Sequence, residues 1–193
     1  MTVLVNWLVI SVLALVVTLS TAIIQPELDN SQPFIVNNVP TVFSESNESQ
    51  WIKIGKSIVM TDKQVIIIKW WGHGGSMYIG QDFEKYIESA MRQGKTVIFE
   101  LIGMSQSMHA MVPCVGSRVL MTTYGGLMYH LAFNPDTGHV DTSKASKYEM
   151  YQFMSRCKPH GLVNDTDIQN VMNRNEVWIY SDGTRSVQPD MRP

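Results

Sequence analysis

Short apolar runs alternate with amphipathic segments from residue 51 onward. Runs rich in Ile and Val predict strands at 52–60, 64–71, 96–101, 117–123, 126–133 and 176–180. Apolar residues at helical spacing predict helices at 77–93, 143–157 and 165–173. Gly94 is a stop signal for the first helix, and Asn164 or Asp165 caps the last. Alternating strands and helices predict an α/β fold with covered sheet faces.

The first 24 residues form a segment of a different kind. Residues 3–24 are almost wholly apolar, are long enough to span a bilayer as a helix, and lack the polar face of a buried helix. We therefore predict a transmembrane anchor or signal peptide over residues 1–24. Small residues at Ser20, Thr21 and Ala22 suit a cleavage site, but no basic residue precedes the run.

Charges next to this segment bear on its orientation. Only acidic residues follow it before the first basic residue, Lys53. This pattern favours an uncleaved single-pass membrane anchor with the domain on the non-cytoplasmic side. Cleavage would instead give a secreted or periplasmic protein. Residues 25–50 are rich in Asn, Ser and Pro, and predict a polar linker that leads to a folded domain over 51–193.

Composition narrows the possible functions. The chain has 193 residues and a net charge of −2, with Lys and Arg scattered, so nucleic acid is not an expected partner. No phosphate loop, zinc-type spacing or calcium loop is present, so we expect neither a metal nor a cofactor. Cys114 and Cys157 are too few for a disulfide scaffold. We expect two buried thiols, or a pair if the domain is exported.

Three predicted strand ends carry the groups that a serine hydrolase needs. Gly74 and Gly75 follow one strand and can present unobstructed N–H groups. Ser107 lies at a strand-to-helix turn, which adds the N–H of Met108 near a helix N-terminus. His130, at a third strand end, is a candidate base for the serine hydroxyl.

These segments resemble the proteolytic subunit of Clp protease. Residues 74–80 are similar to its glycine segment, and Gly-Met-Ser-Gln-Ser-Met-His-Ala at 103–110 is similar to its nucleophile segment. Residues 118–130 resemble the two strands that lead to its catalytic histidine. Residues 167–175 resemble its helix that ends in a Glu/Asp-Arg-Asp signature. The resemblance covers roughly residues 64–180, in the family's order.

The resemblance implies a fold, a site and an assembly. The fold would be the ClpP-like or crotonase-like α/β fold of stacked ββα units. The catalytic residues would be Ser107, His130 and Asn175, with an oxyanion hole formed by the N–H groups of Gly75 and Met108. The substrate would be a peptide or protein, and the chain would form a homo-oligomer.

Some positions depart from the family pattern. Asn175 stands in place of an aspartate and would stabilise an imidazolium less well, and Glu176 could substitute only if the strand register shifted by one. His109 replaces a glycine and is expected to crowd the oxyanion hole, while His73 replaces a proline. Pro113 predicts a short or kinked nucleophile helix.

The sequence therefore predicts a membrane-tethered serine peptidase, with two alternatives. One is a weakened or inactive scaffold that binds a protein or peptide partner, which Asn175 and His109 favour. The other is an α/β-hydrolase esterase, because Gly103, Ser105 and Ser107 nearly complete the Gly-x-Ser-x-Gly motif. The esterase lacks the last glycine, and little chain remains for the Asp and His that it requires.

Overall fold

The structure, a computed structural model, describes residues 32–193. The predicted anchor over residues 1–24 lies outside the described residues. Within 32–193, no helix combines the length and the apolar character that a membrane crossing requires. Residues 32–193 form a single unit, so the described part of the predicted linker, 32–50, belongs to the folded body.

Seven strands form one mixed sheet. They are β1 (Phe34–Val36), β2 (Val65–Gly72), β3 (Thr96–Gln106), β4 (Arg118–Met121), β5 (Gly126–Tyr129), β6 (Asn175–Tyr180) and β7 (Arg185–Pro189). The order is β1-β2-β3-β5-β6-β7, and β4 pairs with the first half of β3 while β5 pairs with its end. Strands β1 to β5 are parallel, whereas β6 and β7 are antiparallel additions. The carboxyl ends of β2, β3 and β5 therefore lie together at one edge, where α/β folds place their sites.

Within residues 32–193, five α-helices accompany the sheet. They are α1 (Glu48–Met60), α2 (Met77–Arg92), α3 (Met108–Met111), α4 (Lys144–Cys157) and α5 (Asp165–Met172). Short 3-10 helices occupy Glu45–Asn47, Val112–Val115 and Lys158–His160. The predicted α/β class is confirmed, and α2, α4 and α5 match their predicted bounds to within a residue. Asn164 caps α5, since its side chain accepts the Asp167 N–H at 2.9 Å.

The prediction of a strand at 52–60 is wrong, because this segment is helix α1. Its buried residues Trp51, Gly55 and Ile58 recur at helical spacing. A Cβ at Gly55 would lie 2.3 Å from the ring of Tyr86, so the glycine allows α1 to approach α2 closely. The β-branched residues between them are typical of strands, and packing against α2 overrides that preference.

Only one face of the central strands is fully covered within residues 32–193, which corrects the expectation of two covered faces. Alternate residues of β2 and β3 are buried, among them Ile66, Ile68, Trp70, Val97, Phe99 and Leu101. On the opposite face, Trp71, Ile102 and Leu120 stay about two-fifths exposed. The same face carries an ion pair between Lys69 and Glu100. The polar segment after Tyr180 contains β7, which forms a hairpin with β6.

The two cysteines form a disulfide, so the expectation of two buried thiols is wrong. Cys114 lies in the 3-10 helix after α3, and Cys157 ends α4. The bond ties the segment that follows Ser107 to a helix 43 residues further along the chain. Both residues are buried, as expected, and their pairing is the alternative that the sequence analysis linked to export.

Candidate active site

Ser107 has an unusual backbone conformation at the turn between β3 and α3. Its φ of 54° and ψ of −127° lie in a region that L-residues rarely adopt, and within 32–193 only Arg174 among other non-glycine residues has a positive φ. The Ser107 N–H donates to the Met128 carbonyl at 2.8 Å, and its carbonyl accepts the Ala110 N–H at 2.9 Å. Helix α3 has four residues and gives way to a 3-10 helix containing Pro113, so the predicted short helix is confirmed.

The glycine turn after β2 lies directly against Ser107. Gly74 and Gly75 have φ values of 99° and 113°, which favour glycine. A Cβ at Gly74 would lie 2.6 Å from the Cβ of Ser107. Gly75 forms a parallel bridge with Phe43, in which the Phe43 N–H donates to Gly74 and the Ser76 N–H donates to Phe43, each at 2.7 Å. The N–H of Gly75 itself therefore points away from Phe43.

Two N–H groups near Ser107 are candidates for an oxyanion hole, one on exposed Gly75 and one on Met108, a residue that is fully buried. Among residues 32–193, no group accepts a hydrogen bond from the N–H of Gly75 or of Met108. Gly75 is exposed, and Met108 occupies the first position of α3, where N–H groups lack intrahelical partners. These are the two donors that the sequence predicts for an oxyanion hole, and the role stays a prediction.

His109 does not crowd this opening, contrary to expectation. It is fully buried, and its ring centroid lies 4.9 Å from that of Trp70 and 4.4 Å from that of Phe43. Its Nδ1 lies 3.1 Å from the Gly74 nitrogen, and its Nε2 lies 3.1 Å from the Pro40 carbonyl, which can only accept. Nδ1 also lies 3.2 Å from the Gly74 carbonyl oxygen, so either ring nitrogen can carry the proton. Burial lowers the pKa of His109 to about 4.

His130 follows β5 directly and is buried. A cavity of about 570 Å³ is lined by both Ser107 and His130. The Nδ1 of His130 lies 2.5 Å from the Leu131 carbonyl, which can only accept, so the proton sits on Nδ1 and Nε2 carries the lone pair. Burial is the main cause that lowers the pKa of His130, so the ring is neutral at pH 7. No hydrogen bond joins Ser107 to His130 within the described chain.

The side chain of Asn175 does not hydrogen-bond His130 in the described chain, and the orienting role predicted for it stays a prediction. Asn175 is half-buried at the start of β6, and its side chain makes no hydrogen bond to any described residue. The Leu131 carbonyl occupies the Nδ1 of His130 instead. Strands β5 and β6 pair Tyr129 with Val177, so continuing the same register by one residue sets His130 opposite Glu176. No register shift is needed to bring Glu176 to this position.

The structure does not support the esterase alternative, because the serine at the centre of its motif is buried inside a strand. Ser105, the centre of the near Gly-x-Ser-x-Gly motif, lies inside β3, where it pairs with Leu127. It is fully buried, and its hydroxyl has no hydrogen-bond partner in the described chain. The exposed turn that this motif requires comes two residues later, at Ser107.

Comparisons with known proteins support the fold and no narrower grouping. No family model matches the sequence, and no curated protein matches it either. Among solved structures, 367 chains match. One is a mutant of the 1510-N membrane-bound stomatin-specific protease, with a TM-score of 0.60, 10% sequence identity, and coverage of 79% of this chain and 75% of that chain. The protein thus has an α/β fold that is also found in a protease.

Several groups at the site were not anticipated from the sequence. Phe43 lies within the predicted linker, yet it holds the glycine turn and lines the cavity. Asp190 and Arg192, in the segment after β7, lie near His130 and act on its charge. The sequence around these three residues gives no sign of their role, because each reaches the site only through a strand pairing with a distant part of the chain.

Proposed function

We propose that this protein is a serine peptidase in which Ser107 is the nucleophile and His130 the general base. The N–H groups of Gly75 and Met108 would bind the developing oxyanion. The observation that carries this proposal is the backbone of Ser107, which has a φ of 54°. The serine side chain makes no cap hydrogen bond that would offset the strain of this conformation. Strained non-glycine residues of this kind cluster at functional sites, where the surrounding structure holds them in place.

The proposed reaction follows the usual order of serine hydrolysis. As Ser107 Oγ attacks the substrate carbonyl carbon, its proton passes to Nε2 of His130. The two N–H groups stabilise the negative oxygen, and His130 then gives the proton to the leaving amine nitrogen as the C–N bond breaks. Water, deprotonated by His130, then attacks the acyl carbon. As the bond to Oγ breaks, His130 returns that proton to Oγ and the carboxylic acid leaves. The hydrogen bond between Ser107 and His130 would form when substrate binds, since such bonds are often long in ligand-free sites.

The cavity favours a peptide or protein substrate with an apolar side chain beside the cleaved bond. Its lining is mainly apolar around the two candidate catalytic residues, and includes Phe43, Met77, Met111, Phe133 and Met150. Burial of an apolar side chain of the substrate here would remove water from the site and strengthen the interaction with the oxyanion.

The narrower family assignment and the assembly also belong to the proposal. Three of the four segments that resemble the Clp proteolytic subunit contribute residues to the cavity, among them Gly75, Ser107 and His130. The fold is also one that a protease shares, and both observations support the ClpP-like or crotonase-like assignment. We propose that the uncovered face at Trp71, Ile102 and Leu120 contacts a second copy of the chain. Analytical ultracentrifugation of the full chain and of Leu120→Lys tests this assembly.

We also propose that the domain is tethered to a membrane on the non-cytoplasmic side. The apolar segment at residues 3–24 supports the tether. The disulfide between Cys114 and Cys157 supports an oxidising compartment, since such bonds persist outside the cytosol. Fractionation of cells that produce the full chain, followed by protease protection of the outward domain, tests both statements.

A fluorophosphonate probe, which reacts with activated serines, tests the proposed mechanism on the full chain. We expect labelling that Ser107→Ala abolishes and that His130→Gln lowers at least 100-fold, in line with the usual loss of a general base. Ser76→Ala is the matched control, because Ser76 lines the same cavity and has no role in the reaction. Labelling that persists in Ser107→Ala, or that disappears in Ser76→Ala alone, would contradict the assignment.

A second candidate function is a peptide-binding scaffold without catalysis. The absence of a hydrogen bond between Ser107 and His130, and the unused side chain of Asn175, favour it. A folded wild-type chain that takes up no probe, and that binds unfolded polypeptide equally well as wild type and as Ser107→Ala, would support the scaffold over the peptidase.

A further inference from the structure

Three charged side chains from β6 and the segment after β7 gather beside His130. In the register of β5 and β6, continued by one residue, Glu176 stands opposite His130. Opposed residues of an antiparallel pair project from the same face, so Glu176 projects toward the His130 side and its neighbour Asn175 toward the other. The other two groups, Asp190 and Arg192, follow β7 directly.

Asp190 and Arg192 form a bidentate ion pair at this place. The Nε of Arg192 lies 2.7 Å from Oδ1 of Asp190, and its Nη2 lies 2.7 Å from Oδ2. The same Nη2 lies 3.6 Å from Oε1 of Glu176. The guanidinium of Arg192 therefore pairs with two carboxylates, and the three groups together carry a net negative charge. The Asp190 side chain is 1% exposed, so this charge acts with little screening by water.

The segment that carries these groups is held in place by its backbone. The Asp190 N–H donates to the Arg174 carbonyl at 2.9 Å, and the Val140 N–H donates to the Pro193 carbonyl at 2.8 Å. The Arg192 guanidinium lies 4.6 Å above the ring of Phe133. That ring is in turn 5.6 Å from the ring of His130, so Phe133 contacts both the guanidinium and the imidazole.

We propose that Glu176 and Asp190 together stabilise the protonated form of His130, in place of the carboxylate that Asn175 lacks, and that Arg192 limits this effect. All three are positioning residues, because they act through His130 and not on the substrate. The inference rests on the proposed function in one respect only: the protonated ring of His130 is taken to give its proton to the leaving amine.

Electrostatic effects on His130 agree with this arrangement. Burial lowers the pKa of His130 most, and the hydrogen bond to the Leu131 carbonyl raises it. Arg192 lowers the pKa further, whereas Glu176 and Asp190 raise it. Among other titratable groups, His73 lines the same cavity. The carboxylates thus offset part of the cost that burial imposes on the imidazolium.

The test is a titration of His130 by NMR in the full chain labelled with ¹³C at histidine Cε1. Ser107→Ala provides the background, so that hydrolysis cannot interfere. We expect Glu176→Gln and Asp190→Asn each to lower the pKa of His130 by about half a unit or more, and Arg192→Gln to raise it by a similar amount. A purely structural role would not reverse the sign between the carboxylate variants and the arginine variant.

Arg156→Gln is the matched control. It breaks a bidentate ion pair of the same kind, with Glu84 at 2.9 and 3.0 Å, and should leave the pKa of His130 unchanged. Arg192→Gln that fails to raise the pKa, or Glu176→Gln that fails to lower it, overturns the inference. If buried Asp190→Asn does not fold, Glu176→Gln decides, because Glu176 is 25% exposed and its variant should fold.

The two proposals fail in different ways. With Ser107 restored, the acid limb of the pH profile of probe labelling should move to higher pH in Arg192→Gln and to lower pH in Glu176→Gln. A chain that shows all three pKa shifts, yet takes up no probe in any variant, refutes the proposed peptidase and supports the electrostatic inference. A chain that takes up the probe but shows none of the three pKa shifts supports the proposed peptidase and refutes the electrostatic inference.

Discussion

The serine side and the histidine side of the cavity are constructed differently. On the serine side, backbone hydrogen bonds fix both Ser107 and the glycine turn, and the buried ring of His109 joins Gly74 to Pro40. On the histidine side, the ring of His130 makes one hydrogen bond within the described residues, to the carbonyl of its own neighbour Leu131. Its carboxylates arrive from β6 and the segment after β7, already paired with an arginine.

The difference shows which requirements of a site are strict. Oxyanion donors must be aimed to within a few tenths of an ångström, so the backbone that carries them tolerates little variation. Charge that stabilises an imidazolium acts over several ångströms and can come from more than one strand. We therefore expect perturbations of the serine side to cost stability, and perturbations of the histidine side to change mainly the charge on His130.

The largest expected effect comes from the disulfide that secures the serine side. Replacement of Cys114 and Cys157 by alanine should lower the free energy of unfolding by about 4 kcal/mol, because the bond closes a loop of 43 residues. Urea unfolding measures the loss. Reducing agent should destabilise the wild type to the same extent and leave the double variant unaffected, and an unchanged midpoint in the double variant would contradict the expectation.

A smaller effect concerns the pH dependence of His109. Its pKa is about 4 in the folded protein and 6.5 ordinarily, so between these values the unfolded chain binds the proton more tightly. The free energy of unfolding should therefore fall as pH drops from 6.5 to 4, by roughly 3 kcal/mol, and stay level in this respect above pH 6.5. His109→Gln, which can keep both hydrogen bonds, should flatten this fall in urea titrations at pH 7 and 4.5. A variant as acid-sensitive as the wild type would assign the loss to other groups.

A difference of about 1 kcal/mol should separate two substitutions at Ser107. Ser107→Gly removes the cost of a positive φ and should stabilise the fold relative to Ser107→Ala, which keeps that cost. Neither variant should take up the probe. Thermal unfolding of the pair measures the difference, and alanine equal to glycine would mean that Ser107 carries no backbone strain.

The smallest effect belongs to the histidine side. Asn175→Ala should leave probe labelling unchanged, because the side chain makes no hydrogen bond in the described chain. Loss of a third residue that is in use costs about 10⁴-fold in turnover. A large loss in Asn175→Ala would support a triad like that of the Clp proteolytic subunit, and would remove the reason for giving that role to Glu176 and Asp190.

The sequence alone determined the α/β class, most helices and strands, and the position of Ser107 at a strand-to-helix turn. These features depend on short-range signals: apolar periodicity, a glycine pair, and a proline that shortens a helix. The same signals failed over 52–60, where β-branched residues outweighed the helical spacing of Trp51 and Ile58. Local preference is weak, and packing against α2 decided the outcome.

Only the tertiary structure decided how the site is completed. The disulfide, the inward turn of His109, the bridge from Phe43 and the charges of Asp190 and Arg192 all join residues far apart in the chain. Such contacts depend on strand register and on how closely elements approach each other. Neither quantity has a period that can be counted along a sequence, since a register change of one residue reverses which side chain faces the site.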